Sequence, residues 1–292
     1  MKKSILGQWH KLKLFDKIVI IFFLTLNLLI AIFNKNVDYA ALRILLHFLV
    51  ISIILYVIPL LDPKKTIQHF LRYWYIVLAI TLIYWNMGNF IHLIFRGYFD
   101  QYIINFEIAV FGELPNIWVQ QYVNPLLTEL MQVSYGFYWL LVPLGPAIFY
   151  FSRKYTEFEY LLFFVLITFF ISYTMFILIP VYGPRFMIAD QIYANYEGIV
   201  FTGLLRSFVE EAGLKGGAFP SSHVAVAVVF LFFIWKYFPN IGKYVFLPMV
   251  IGLSISTVYG QYHYVTDVVL GLLMGIVIGV IGVKYTGKVL SI

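Results

Sequence analysis

The sequence predicts an all-α fold: a polytopic membrane helical bundle of about eight transmembrane helices. Three observations predict it. Of 292 residues, 62% are hydrophobic and only 12% charged, with a mean hydropathy of +0.88, whereas an ordinary soluble domain is roughly 25% charged. The apolar residues gather into runs of about 20, the length that crosses a hydrocarbon core about 30 Å thick. Between those runs stand turn residues and clusters of Lys and Arg.

The first run opens at Ile18 behind a basic stretch ending at Lys17 and has no small-residue cleavage sequence after it, so it reads as a retained span. In order, the spans fall near 18–34, 42–61, 71–95, 128–151, 159–181, 222–238, 243–260 and 263–283. Asp62-Pro63, Gly183-Pro184 and Pro239-Asn240 punctuate the boundaries. Two connections are too long to be turns. The first, 96–127, carries Phe106–Pro115, where acids interrupt an aromatic run, and reads as a short interfacial helix in the headgroup layer. The second, 182–221, leads into the sixth span.

A cytoplasmic N-terminus puts Lys2, Lys3, Lys11, Lys13, Lys17, Lys64, Lys65, Arg72, Arg153, Lys154, Lys236, Lys243, Lys284 and Lys288 inside, fourteen of the twenty Lys and Arg. Every inside loop then carries at least two cations, as the positive-inside rule requires. Both termini are thus expected in the cytoplasm of a cell-membrane protein. The same pattern explains the net charge of +6 and argues against a nucleic-acid partner, because the basic residues form no stripe or tail. With no cysteine, the chain has neither disulfides nor a thiol nucleophile.

Two polar clusters open late apolar runs: Pro220-Ser221-Ser222-His223 and His263-Tyr264-Val265-Thr266-Asp267. A His at i and an Asp at i+4 lie on one helical face, so Asp267 is expected to accept a hydrogen bond from one nitrogen of His263 and leave the other free to attack. Because both clusters sit at the same end of their helices, on the side away from the cytoplasm, His223 can face His263 and protonate a leaving group. Arg185, Arg206 and Lys215 fall in the loop leading to His223. With the helix N-terminus after Pro220 they suggest a phosphate site, although a loop near lipid headgroups also attracts basic residues. An ionised Asp267 in a membrane helix demands a partner, since it costs about 2.5–3.5 kcal/mol on insertion scales. Two His and an Asp could ligate zinc, but Arg185 and Lys215 would repel a divalent cation. A Ser221 or Ser222 nucleophile with His223 as base is disfavoured, because residues one or two apart do not face each other on a helix.

Gly216–His223, His263-Tyr264-x-x-Asp267 and Pro180-x-x-Gly183-Pro184-Arg185 resemble the motifs of the type 2 phosphatidic acid phosphatase superfamily, over roughly residues 71–283. The branch containing inositol phosphorylceramide synthases is the nearest in pattern, with sphingomyelin synthases more distant. The resemblance implies a six-helix catalytic core over 71–292, preceded by two N-terminal transmembrane helices in 1–70. It implies that His263 attacks phosphorus to form a phosphohistidine, that Asp267 orients it and that His223 protonates the leaving oxygen. Arg185 with Ser221 and Ser222 would hold the phosphoryl oxygens; Lys215, from the position of the basic loop and not from the resemblance, is a further candidate phosphate-binding cation. No cofactor or metal is implied, and the substrate is a phospholipid or lipid phosphate. Leu178 and Thr257 stand where the phosphatase branch has Lys and Arg, and Phe186 where it has Pro. Losing two cations favours a singly charged phosphodiester, and hence transfer of a phospho-headgroup between lipids. Two alternatives stay open: a lipid phosphate monoester phosphatase, and a transporter or scaffold that binds an anion without chemistry.

Overall fold

A computed structural model of the chain describes residues 5–291, the side chains of residues 5, 6 and 208–212 excepted. Lys2 and Lys3, counted above for topology, lie outside the described residues. The long elements are α1 (Leu14–Ile32), α2 (Ala40–Leu60), α3 (Thr66–Met87), α4 (Asp100–Phe111), α5 (Pro125–Phe151), α6 (Tyr155–Leu178), α7 (Thr202–Ala212), α8 (Ser222–Tyr237), α9 (Pro239–Tyr259) and α10 (Val265–Leu290). Seven of these (α1, α2, α3, α5, α6, α9 and α10) are long and apolar enough to cross a membrane, and α8 is a shorter apolar helix of 16 residues. The architecture is the expected all-α bundle, with no strand among the described residues.

Helix ends follow local chemistry. Asn124 caps α5 by accepting the Leu127 N–H at 3.0 Å, with Pro125 at the first helical position, where its missing N–H is not needed. The third span ends at Met87, short of the expected 95, because Asn86, Gly88 and Asn89 turn the chain: the Asn89 N–H and side-chain amide both donate to the Asn86 carbonyl. The last span runs on to Leu290, beyond the expected 283. Lys284 and Lys288 remain helical there, as long charged side chains near a helix end can reach out of the apolar layer.

The N-terminal helices share the main hydrophobic core with the rest of the bundle. Asp16 of α1 is fully buried and bonds Arg72 of α3 through both carboxylate oxygens, at 2.5 and 3.2 Å, and also Tyr75. Arg72, counted above as a loop cation, is therefore buried in an ion pair.

The tightest pairing in the bundle is α8 against α10. It depends on Gly271, Gly275 and Gly279, spaced four apart so that they line one face of α10. A Cβ at Gly271 would stand 2.6 Å from the Ser221 carbonyl oxygen, and one at Gly275 2.6 Å from that of Ala225. This approach brings the start of α8 beside the start of α10. Gly275→Ala is expected to lower stability by about 1–3 kcal/mol through overpacking. Gly287→Ala on the same helix meets nothing within 4 Å and should be neutral or slightly stabilising. Thermal unfolding in detergent tests the pair, and equal midpoints would show that backbone approach at Gly275 is unimportant.

Candidate active site

His223 is the second residue of α8, and His263 lies in the turn between α9 and α10. Both are buried, at 8% and 4% exposure, and their ring centroids are 5.8 Å apart. The turn is fixed by its backbone: the Tyr262 and His263 N–H groups both donate to the Thr257 carbonyl, and Gln261 adopts a left-handed conformation at φ 64°. His223 Nε2 stands 3.3 Å from the Tyr135 hydroxyl, and its ring packs on Tyr138.

The relation of His263 to Asp267 differs from the expectation of one helical face. Tyr264 is extended at ψ 158° and α10 begins at Val265, so His263 precedes the helix. Asp267 caps that helix, its Oδ2 accepting the Tyr264 N–H at 2.9 Å. The same oxygen is 3.4 Å from His263 Nδ1, a close contact without hydrogen-bond geometry. Asp267 thus sets the helix start and faces the imidazole together. Burial holds the His263 pKa down, to about 4; the Ala218 backbone opposes this and the Arg185 charge adds to it. The ring is therefore neutral at pH 7, the state a nitrogen nucleophile needs.

Arg185 lies in a one-turn helix, Pro184–Met187, entered through Gly183 at φ +94°. Its N–H donates to the Gln261 carbonyl at 2.9 Å, tying it to the His263 turn. The guanidinium lies over Phe186, 4.5 Å from the ring centroid, and makes no salt bridge among the described residues. Val181 pairs with Gly216 and Ala218 through backbone hydrogen bonds of 3.2 and 3.1 Å, strapping the Arg185 segment to the segment that leads into α8. Ser221 and Ser222 sit buried at the start of α8. The Ser221 N–H is engaged by the Asp267 carbonyl at 3.0 Å and its Oγ faces the Val224 N–H. The amides of Ser222 and His223 are then the first-turn donors that the helix itself does not satisfy.

Two residues essential to this geometry were missed in the sequence. The helix expected over Phe106–Pro115 runs instead from Asp100 to Phe111 as α4, and it buries Asp100, Ile103 and Glu107 along one stripe. Asp100 is fully buried and accepts three hydrogen bonds: from the Tyr182 N–H (2.7 Å), the Gly183 N–H (2.9 Å) and the Tyr264 hydroxyl (3.0 Å). Glu107, also fully buried, accepts the Thr266 N–H at 2.6 Å. Burial pushes its carboxyl pKa up, against the opposing pull of Thr266. One helix therefore holds both the Arg185 turn and the start of α10. The available signal was the spacing: two acids seven apart fall on one face after two turns.

His223, His263 and Arg185 line one pocket of about 40 Å³, room for a group of a few atoms. It shares Tyr84 and Trp139 with an apolar cleft of about 240 Å³ between α3, α5 and α6. It also shares Arg185, Phe186 and Tyr262 with a polar chamber of about 440 Å³. Lys215, expected to bind the reacting phosphate, is exposed and lines that chamber together with Arg206. Among the described residues, no three His, Asp or Glu side chains are grouped to hold a metal ion.

Fold and site together define an integral membrane protein with two histidines and an arginine, free of salt bridges among the described residues, in one pocket. A family model described as the PAP2 superfamily matches residues 101–281. The chain belongs to the PAP2 superfamily, and so to the lipid phosphatase and phosphotransferase type of membrane protein. Comparisons with curated proteins and with solved structures returned no match.

Proposed function

We propose that the protein is a lipid phosphotransferase that moves a phospho-headgroup from a phospholipid donor to a lipid alcohol. The observation that carries this reading is the position of the histidine pocket, between an apolar cleft on one side and a basic, polar chamber on the other. A phosphodiester lipid has that layout: acyl chains, phosphorus, headgroup. A monoester needs no chamber beyond the phosphorus. Among the described residues lining the pocket, Arg185 is the one Lys or Arg, which suits the single charge of a diester. The sequence pattern points to the inositolphosphotransferase branch, with phosphoinositol as the headgroup.

In this mechanism the His263 nitrogen remote from Asp267 attacks phosphorus, and the bond to the donor's glycerol oxygen breaks. His223, entering the step as the imidazolium, gives that oxygen its proton and is left neutral. The acceptor hydroxyl then passes its proton to the neutral His223 and attacks phosphorus, which breaks the P–N bond and restores His263. Arg185 and the amides at the start of α8 stabilise the charge on the equatorial oxygens, where positioning and electrostatics supply most of the acceleration. The distribution of Lys and Arg supports cytoplasmic termini and an active site on the opposite face. It accords with this scheme to take 71–292 as the catalytic core and 1–70 as a two-helix addition docked onto it.

Purified protein in lipid should be given a phosphatidic acid and a phosphoinositol diester, each with and without ceramide or diacylglycerol, and the products followed by mass spectrometry. Acceptor-dependent headgroup transfer is expected. Free phosphate from the monoester at a comparable rate would make the protein a phosphatase instead. An intact fold with no product from either would favour an anion-binding transporter or scaffold.

A further inference from the structure

Beside the histidine pocket the polar chamber is lined by more cations than the proposed phosphotransfer uses, and only the identity of its ligand rests on that reading. Its wall carries Arg185, Arg206 and Lys215, and among the described side chains no carboxylate lines it. With Arg185 assigned to the reacting phosphate in the proposed mechanism, Arg206 and Lys215 are two further cations that make no salt bridge among the described residues. Arg206 is held in place by donating to the Tyr196 carbonyl at 3.0 Å, and the Lys215 ammonium lies 5.6 Å from the Phe186 ring centroid.

A second observation points to a ligand. Gln261, only 2% exposed, is held in a left-handed backbone conformation and lines this chamber. Its amide nitrogen donates to the Asn116 carbonyl at 2.7 Å and to the Tyr196 hydroxyl at 2.8 Å, while its amide oxygen has no partner among the described residues. A buried acceptor without a donor costs about 1–3 kcal/mol, and a ligand hydroxyl would satisfy it. At about 440 Å³ the chamber is within the range of small-molecule sites.

We propose that this chamber recognises a hydroxylated donor headgroup bearing a second phosphate, with Arg206 and Lys215 on that phosphate and the Gln261 amide oxygen accepting a headgroup hydroxyl. The preferred donor is then a phosphodiester lipid with a polyol monophosphate headgroup, ahead of the same lipid with a neutral polyol.

The test separates binding from chemistry. Full-length His263→Ala protein in nanodiscs is titrated calorimetrically with two soluble deacylated headgroups, glycerophosphoinositol and glycerophosphoinositol 4-phosphate. The phosphorylated probe should bind at least about tenfold more tightly, or ~1.4 kcal/mol. The gap should shrink severalfold in Arg206→Gln and again in Lys215→Gln, the latter an exposed position where the fold is not at stake. Equal binding of the two probes, or a gap that survives both substitutions, overturns the proposal. Turnover of the parent lipids by the unsubstituted protein tells the two readings apart. A binding gap without turnover of either lipid upholds the chamber and removes the transferase reading. Turnover without a gap does the reverse.

Discussion

His263→Ala is expected to lower turnover on the order of 10⁴- to 10⁶-fold, the loss that follows removal of a nucleophile whose partners act as a unit. That corresponds to about 5–8 kcal/mol of transition-state stabilisation. The ring is buried between His223 and Asp267, and only His263 of the two histidines has a carboxylate beside it. His223→Ala should cost less, roughly 10²- to 10⁴-fold, as for a general acid. The two are separable by leaving group. A donor with a nitrophenyl leaving group needs no proton in the first step, so in an excess of that donor without acceptor the first-turnover burst should recover in His223→Ala. It should stay absent in His263→Ala. Recovery in both would remove His263 from the role of nucleophile, and retention of anion binding in His263→Ala with normal turnover would leave the pocket a binding site only.

The second large effect is expected far from the histidines in sequence. Asp100→Ala removes the acceptor of two backbone N–H groups and of the Tyr264 hydroxyl. Each buried donor left unpaired costs about 1–3 kcal/mol, so a loss of roughly 3–5 kcal/mol in stability is expected, at the upper end for single substitutions. Asn at this position should rescue little, because its one carbonyl oxygen cannot serve donors that now meet both carboxylate oxygens, and its NH₂ would face a backbone N–H. Tyr264→Phe breaks only one of the three bonds and should cost about 1 kcal/mol. Thermal unfolding gives the stability series. Activity per folded molecule should fall in the same order, because the Arg185 turn and the start of α10 lose their shared anchor. An Asp100→Ala protein with native stability and activity would show that the α4 carboxylate does not position the site.

The comparison of these two sites shows where sequence reading succeeds. The spans were legible because crossing a hydrocarbon layer demands about 20 apolar residues, whatever the tertiary packing. Their ends were less so: Asn86 and Asn89 stop α3 through side-chain and backbone hydrogen bonds within an otherwise apolar run. His223, His263 and Arg185, which line one pocket, were legible because each stands in a short polar cluster at the edge of an apolar run. Asp100 and Glu107 were hidden for the opposite reason. All but one of their partners are backbone N–H groups, which every residue but proline carries, so nothing at Tyr182, Gly183 or Thr266 announces the contact. The His263 to Asp267 spacing was read correctly as a proximity and incorrectly as a helical face, because α10 is capped at Tyr264 and His263 is the residue just before that cap.

The measurement that bears most directly on phospho-headgroup transfer through His263 is the mass of the trapped intermediate. Protein incubated with a phosphoinositol diester lipid in the absence of acceptor would be quenched in alkali, where phosphohistidine survives, and its peptides analysed by mass spectrometry. A peptide containing His263 that has gained phosphoinositol is the expected result. A gain of bare phosphate on His263, or an adduct on any other residue, would contradict it.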